Sequence, residues 1–157
     1  FKTVLIDEIE ELHAQNVRLK FFGNIAKLPK DVQKSIAIGE EKTNNNSKIQ
    51  LNLMMNYGSR NEIVRAVQAI ISDNVAEKDI SEDLISDYLD TNGVPDPELV
   101  IRTAGDYRLS NYMLWQSAYS ELFFIDSYWP DFSQDELVSI LQQFQGVQRR
   151  YGGLIPK

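Results

Sequence analysis

The sequence predicts an α/β fold with a mostly parallel central sheet and helices on both faces. Three observations carry that prediction. Apolar spacing switches repeatedly between the helical period and the two-residue period of strands, and a unit of strand, glycine turn and helix recurs along the chain. The 157 residues, 43% hydrophobic and 25% charged, also suffice for one soluble domain with one core. No internal repeat, linker or low-complexity segment divides residues 1–157, so a single domain is expected.

The elements follow in order. Val4, Leu5, Ile9 and Leu12 fall at helical spacing over residues 4–15, and Val17, Leu19 and Phe21 then alternate with Arg18 and Lys20 as a strand ending at Gly23. Pro29-Lys30-Asp31 opens a helix carrying Val32, Ile36 and Ile38, closed by the loop Asn44-Asn45-Asn46-Ser47. Ile49, Leu51, Leu53 and Met55 alternate with Gln50, Asn52 and Asn56 as a second strand, and Gly58-Ser59 leads into a helix with Ile63, Val64, Val67, Ile70 and Ile71. A further helix carries Ile80, Leu84, Ile85, Tyr88 and Leu89, and Pro95-Asp96-Pro97 turns the chain into a strand over Glu98–Arg102. Beyond a loop, a helix is expected from about Asn111 to Ala118, a short strand around Leu122–Ile125, and a last helix from Gln134 to about Gln148.

Composition narrows the function. A net charge of −7 and a pI near 4.7 argue against nucleic acid as a partner, so any anion site must be assembled locally. The absence of cysteine removes disulfides, thiolate catalysis and cysteine metal sites, and fits a reducing compartment. No run is long and apolar enough to cross a bilayer. The chain opens on Phe1 without a signal-peptide pattern, which is read here as an incomplete chain.

The most informative stretch is VIRTAGDYRLSNYMLWQ, residues 100–116. Arg102 ends an apolar run, Arg108 lies in the following loop, and Ser110 or Asn111 is placed to cap the expected helix. Ligands of open α/β sheets sit beyond the carboxyl ends of strands, and two guanidinium forks beside a helix N-terminus suit a diphosphate. The alternative is that both arginines pair with a surface carboxylate such as Asp106. Spacing alone leaves both open.

The longer run DPELVIRTAGDYRLSNYMLWQSAYSELFFIDSYWPDF, residues 96–132, resembles the signature of the cis-prenyltransferases, most closely the bacterial undecaprenyl diphosphate synthases. NVRLKFFGN (16–24), LNLMMNYGSRNEIV (51–64) and RRYGG (149–153) extend the resemblance over nearly the whole chain. It implies an enzyme that condenses isopentenyl diphosphate onto an allylic diphosphate, usually farnesyl diphosphate, with cis geometry, giving a long polyprenyl diphosphate such as the undecaprenyl carrier of cell-wall synthesis. It further implies that Arg102, Arg108 and Ser110 hold the diphosphate of isopentenyl diphosphate, that Mg²⁺ is the cofactor, and that Glu121 takes part in binding it. Arg150 and Gly152 match an arginine-any-glycine motif that reaches across a homodimer interface toward the partner's diphosphate site. Ile49, Leu51, Leu53 and Met55 correspond to a strand along the hydrocarbon tunnel, although alternation is also how a sheet simply buries one face. A cytoplasmic protein is implied, with peripheral contact at the inner membrane face for product release.

Some positions depart from the family pattern. Asp106 stands where many members have glutamate, and Ser59 stands in NYGSR where a second glycine is commoner. The phosphate loop whose aspartate is central to catalysis does not occur, so the catalytic aspartate is expected in a segment preceding Phe1, and these 157 residues alone are expected to be inactive. His13, the only histidine, is expected to be structural or exposed, and Trp115 and Trp129 to be core aromatics. Two other readings stay in view: a noncatalytic subunit of a heteromeric prenyltransferase, and a short-chain or irregular-coupling member of the same fold. A dinucleotide-binding domain is disfavoured because no G-x-G-x-x-G follows a strand.

Overall fold

The computed structural model describes residues 2–148, with the side chains of 8–148, and divides into two compact units, Phe1–Gly93 and Val94–Lys157. The first unit holds α1 (Lys2–Ala14), β1 (Val17–Phe22), α2 (Lys30–Thr43), β2 (Ile49–Met54), α3 (Ser59–Ser72) and α4 (Glu82–Tyr88). The second holds β3 (Leu99–Arg102), β4 (Glu121–Phe124) and α5 (Gln134–Gln145). The fold is α/β and its strand pairs are parallel, as the sequence predicts. Among the described residues the strands form two separate pairs, β1 with β2 and β3 with β4.

In the first unit β1 runs parallel to β2 with Val17 opposite Ile49 and Phe22 opposite Met54. Parallel neighbours need a crossover, and α2 supplies it. Along β1 the pleat alternates buried and half-buried residues, so Leu19 and Phe21 meet Ile9 of α1 and Ile36 of α2 in the core, with Leu53 and Met55 packed against it. The edge of β1 is closed by side chains of α2: the Leu19 N–H donates to Thr43 Oγ1 at 3.0 Å and the Phe21 N–H to Glu40 Oε1 at 2.9 Å. Backbone donors that would otherwise recruit another strand are thus satisfied by a helix.

Two glycines permit close approach. A Cβ on Gly39 would lie 2.9 Å from Ile9 Cδ1, so the lack of a side chain lets α2 seat against α1. Gly23 has φ +122°, and a Cβ there would meet the Met55 carbonyl oxygen at 2.1 Å, so only glycine lets the ends of β1 and β2 come together. On α3, Ser59, Glu62, Ala66 and Ile70 form the buried face, at the three- and four-residue spacing of one side of a helix.

In the second unit β3 and β4 pair in parallel from Leu99 opposite Glu121 to Arg102 opposite Phe124. The helix expected over 111–118 does not form. Ser110, Asn111 and Met113 have φ of 48°, 63° and 44°, in the left-handed region, which breaks a right-handed hydrogen-bond ladder before it can start. Residues 110–119 are turns instead. The last helix, α5, begins with a capping box in which Ser133 and Glu136 satisfy each other's backbone donors, and it ends at Gln145, three residues early. Trp129 is 74% exposed and stacks on Phe132, so it is not a core aromatic; it opens a short 3₁₀ turn (Trp129–Asp131) with Pro130 in its first positions, closed by the Phe132 N–H donating to the Trp129 carbonyl. Trp115 is half-buried, and His13 is exposed with Nδ1 3.2 Å from the Asn46 amide.

Candidate functional site

The second unit builds its site at the carboxyl end of β3. The loop after Arg102 is pinned to the chain following β4: the Ile125 N–H donates to the Arg102 carbonyl, the Ala104 N–H to that of Ser127 and the Gly105 N–H to that of Ile125, each at 2.9 Å. Ala104 and Gly105 take φ of 72° and 66°, folding the loop back sharply. The Tyr107 ring lies against Phe124 of β4, with centroids 5.3 Å apart.

These constraints bring three of the expected residues together. Arg102 Nη1 donates to Ser110 Oγ at 3.0 Å and to the Arg108 carbonyl at 2.5 Å, and Nη2 donates to Asp106 Oδ2 at 2.8 Å. Arg108 Nη2 donates to the same Asp106 oxygen at 2.5 Å. The carboxylate pairing that spacing left open is therefore present, and it links the two arginines. Its N–H bond from Arg102 leads in holding the Asp106 carboxyl below the usual carboxylate range, and the positive charges of Arg108 and Arg102 add to the effect. The Arg108 side chain is 63% exposed against 25% for Arg102, so one guanidinium is embedded in the loop and the other reaches out of it. Beside them lies a cavity of about 390 Å³, lined by apolar Val100, Ile101, Leu109 and the Tyr112 ring as well as by Arg102 and Asp106. A charged rim with an apolar wall suits a molecule with an anionic head and a hydrocarbon body.

Other expected residues lie elsewhere. Glu121 pairs with Leu99 at the opposite end of the β3–β4 ladder, three rungs or roughly 10 Å from Arg102, and its N–H donates to the Glu98 carbonyl. Ser110 does not cap a helix, because its φ is 48°; its hydroxyl serves Arg102. Arg150 and Gly152 lie outside the described residues. On β2, Ile49 and Leu51 are 61% and 38% exposed while Leu53 and Met55 pack on the core, so that face is half core and half open.

In the first unit NYGSR forms the strand-to-helix turn that its sequence suggests. Ser59, the departure from the commoner glycine, is fully buried as the first residue of α3. A smaller cavity of about 220 Å³ lies there, lined by Asn24, Lys27, Asn56, Tyr57, Gly58 and Asn61. Behind it the Tyr57 hydroxyl donates to the buried Glu62 carboxylate at 2.5 Å, and Glu62 also accepts the Asp90 N–H at 3.0 Å. Sequence reasoning did not single out Glu62; a charge on the apolar face of α3 was the available signal.

Residues 1–152 match the family model described as "Putative undecaprenyl diphosphate synthase". The chain belongs to the cis-prenyltransferase family. Among similar curated proteins, the isoprenyl transferase of Clostridium perfringens is 44% identical over 152 residues, covering 94% of this chain and 60% of that protein. The isoprenyl transferase of Agrobacterium fabrum is 43% identical over 158 residues, covering 98% of this chain and 64% of that one. The chain thus spans less than two thirds of the length of these curated relatives. Among solved structures, a probable undecaprenyl diphosphate synthase from Campylobacter jejuni superposes with a TM-score of 0.86 at 31% identity, over 96% of this chain and 70% of that one. Lavandulyl diphosphate synthase from Lavandula x intermedia, in complex with dimethylallyl diphosphate, reaches 0.88 at 30% identity, over 96% and 67%. The cis-prenyltransferase fold is therefore common to proteins named for different products.

Proposed function

We propose that the protein containing this chain transfers isopentenyl units from isopentenyl diphosphate onto an allylic diphosphate, farnesyl diphosphate first, with cis geometry, to give a long polyprenyl diphosphate of the undecaprenyl kind. The convergence of Arg102, Arg108 and Ser110 beyond the end of β3 carries this reading. Guanidinium groups meet phosphate oxygens with charge-assisted, often bidentate bonds, and a substrate held by its diphosphate keeps its reacting double bond in one orientation. The apolar wall of the neighbouring cavity supports a hydrocarbon body next to that head.

Magnesium is proposed for the whole protein. Among the described residues no group of three or more His, Cys, Asp or Glu side chains could hold a metal ion; Asp106 is engaged by two arginines and Glu121 lies at the far end of the ladder. The described residues do not by themselves fit a Mg²⁺ centre. Glu121 is proposed as one carboxylate of the Mg²⁺ site of the whole protein. A homodimer, with Arg150 and Gly152 acting across its interface, is proposed with it; Tyr128 and Trp129, 66% and 74% exposed, offer aromatic surface for association. No helix among the described residues is long and apolar enough to cross a membrane, and a cytoplasmic enzyme touching the membrane face to release product is the arrangement proposed.

A second reading, a short-chain synthase of the same fold, is favoured by the similarity to lavandulyl diphosphate synthase; product analysis by mass separates the two. The test of the site itself is the Michaelis constant for isopentenyl diphosphate in the full-length protein. Arg102→Ala and Arg108→Ala should each raise it about 10- to 100-fold, the loss of one charge-assisted bond, and lysine should restore it only partly. An unchanged constant in both alanine variants removes these residues from the site.

A further inference from the structure

Arg102 and Arg108 carry like charges, yet their Nη2 atoms converge on a single acceptor atom. Guanidinium groups brought that close repel each other and, left alone, swing apart into solvent, above all Arg108 with its long exposed stem. The acceptor that prevents this is Asp106 Oδ2, on the same loop, four residues after one arginine and two before the other. The loop conformation that delivers it is unusual: Ala104, Gly105 and Ser110 all have positive φ, and for Ala104 and Ser110 such backbone persists only where surrounding bonds over-determine it. Ala104 is held by its N–H bond to the Ser127 carbonyl, and the part of the loop that carries Asp106, Arg108 and Ser110 by the bonds Arg102 makes to Asp106, Ser110 and the Arg108 carbonyl.

We propose that Asp106 is the positioning residue of the arginine pair: its carboxylate gathers the two guanidiniums into one fork, so that a diphosphate finds both already in place. The inference rests on the diphosphate reading of this site given above. Asp106 meets Arg108 at a partly exposed position, and the Arg108 nitrogens not directed at it remain for the ligand. Preorganisation of this kind acts on affinity, because the ordering of two long side chains is completed before binding. A carboxylate that merely occupied the ligand's place would have the opposite effect, since removing its charge would tighten binding.

The experiment uses the full-length protein, with inorganic diphosphate as the binding probe in calorimetry and isopentenyl diphosphate in steady-state kinetics. Asp106→Asn should weaken diphosphate binding and raise the Michaelis constant about tenfold, the scale of one charge-assisted bond, with kcat changed less than about twofold. Asp106→Glu, which keeps the charge, should recover most of the loss. In an Arg108→Ala background the Asn substitution should add little, because the fork is already open. Tighter or unchanged binding in Asp106→Asn, or failure of glutamate to rescue, overturns the proposal. If instead Arg102→Ala and Arg108→Ala leave diphosphate binding untouched, it is the site reading that fails, and Asp106 with it.

Discussion

The two parallel strand pairs of this chain use the same ladder for different ends. In β1–β2 the pleat drives Val17, Leu19 and Phe21 into a core, and the ladder's outer donors are closed by Thr43 and Glu40 of α2. In β3–β4 no residue of β3 or β4 is fully buried, and the strand end is given over to a charged loop. A ladder that is embedded sets stability; a ladder that is shallow is free to carry polar chemistry at its end. Substitutions should therefore separate into stability effects in the first unit and binding effects in the second.

The largest difference expected is in truncation of the two ladders. Leu19 is 1% exposed and Leu122 is 42% exposed. Leu19→Ala should cost about 2–5 kcal/mol of unfolding free energy, from lost transfer and the cavity left behind, whereas Leu122→Ala should stay within about 1 kcal/mol. Denaturant unfolding of the two variants measures this directly, and equal losses would break the comparison.

Carboxylates sharpen it next. Glu62 is 1% exposed and accepts from Tyr57 and the Asp90 N–H, so Glu62→Gln turns an amide donor toward at least one existing donor and should cost about 1–3 kcal/mol. Asp106→Asn, in the partly exposed fork, should lower the unfolding midpoint less than Glu62→Gln does while weakening diphosphate binding. A stability loss in Asp106→Asn matching that of Glu62→Gln would show that the loop is structural rather than a ligand device.

The same contrast explains what the sequence made legible. The strands and helices of the first unit fall where their apolar periods place them, β1 and β2 at Val17-Leu19-Phe21 and Ile49-Leu51-Leu53, although burial follows the period closely only on β1: on α3 Val64, Val67 and Ile71 are exposed and Ser59, Glu62, Ala66 and Ile70 are buried. The second unit was legible by motif more than by period. Arg102, Arg108 and Ser110 were identifiable as a group, but the expected helix over 111–118 was not, since positive φ at Ser110, Asn111 and Met113 is imposed by the folded-back loop and leaves no mark in hydrophobic spacing. Trp129 misled for a related reason: a large apolar side chain is usually buried, and only the 3₁₀ turn around Pro130 reveals that this one is not.

A smaller effect is expected at Glu121, which stands at the far end of the β3–β4 ladder from the arginines. If it contributes to the proposed Mg²⁺ site of the full-length protein, Glu121→Gln should raise the Mg²⁺ concentration needed for half-maximal turnover severalfold, as for loss of one hard oxygen ligand, with diphosphate binding in the absence of metal unaltered. An unchanged Mg²⁺ requirement would confine Glu121 to the ladder.

The smallest effect lies at the start of α5, in the same unit, where Ser127 accepts from Ala104 of the loop and donates to Glu136. The Ser127 hydroxyl donates to the Glu136 carboxylate, and the Ser133 N–H and hydroxyl donate to it at 2.9 and 3.0 Å, which together hold its carboxyl below the usual range. A group whose folded pKa is depressed contributes stability that is complete above its unfolded pKa, about 4.3 for glutamate, and is lost as pH falls through the folded value. The contribution should therefore be intact at neutral pH and fade from roughly pH 5 downward. Glu136→Gln keeps an acceptor oxygen for the serines but removes the charge, so its unfolding midpoint should fall slightly below wild type at pH 7 and converge with it in acid. Thermal unfolding of both proteins between pH 7 and pH 3 tests this; a gap that widens toward acid would mean that the charge of Glu136 opposes the helix start it caps.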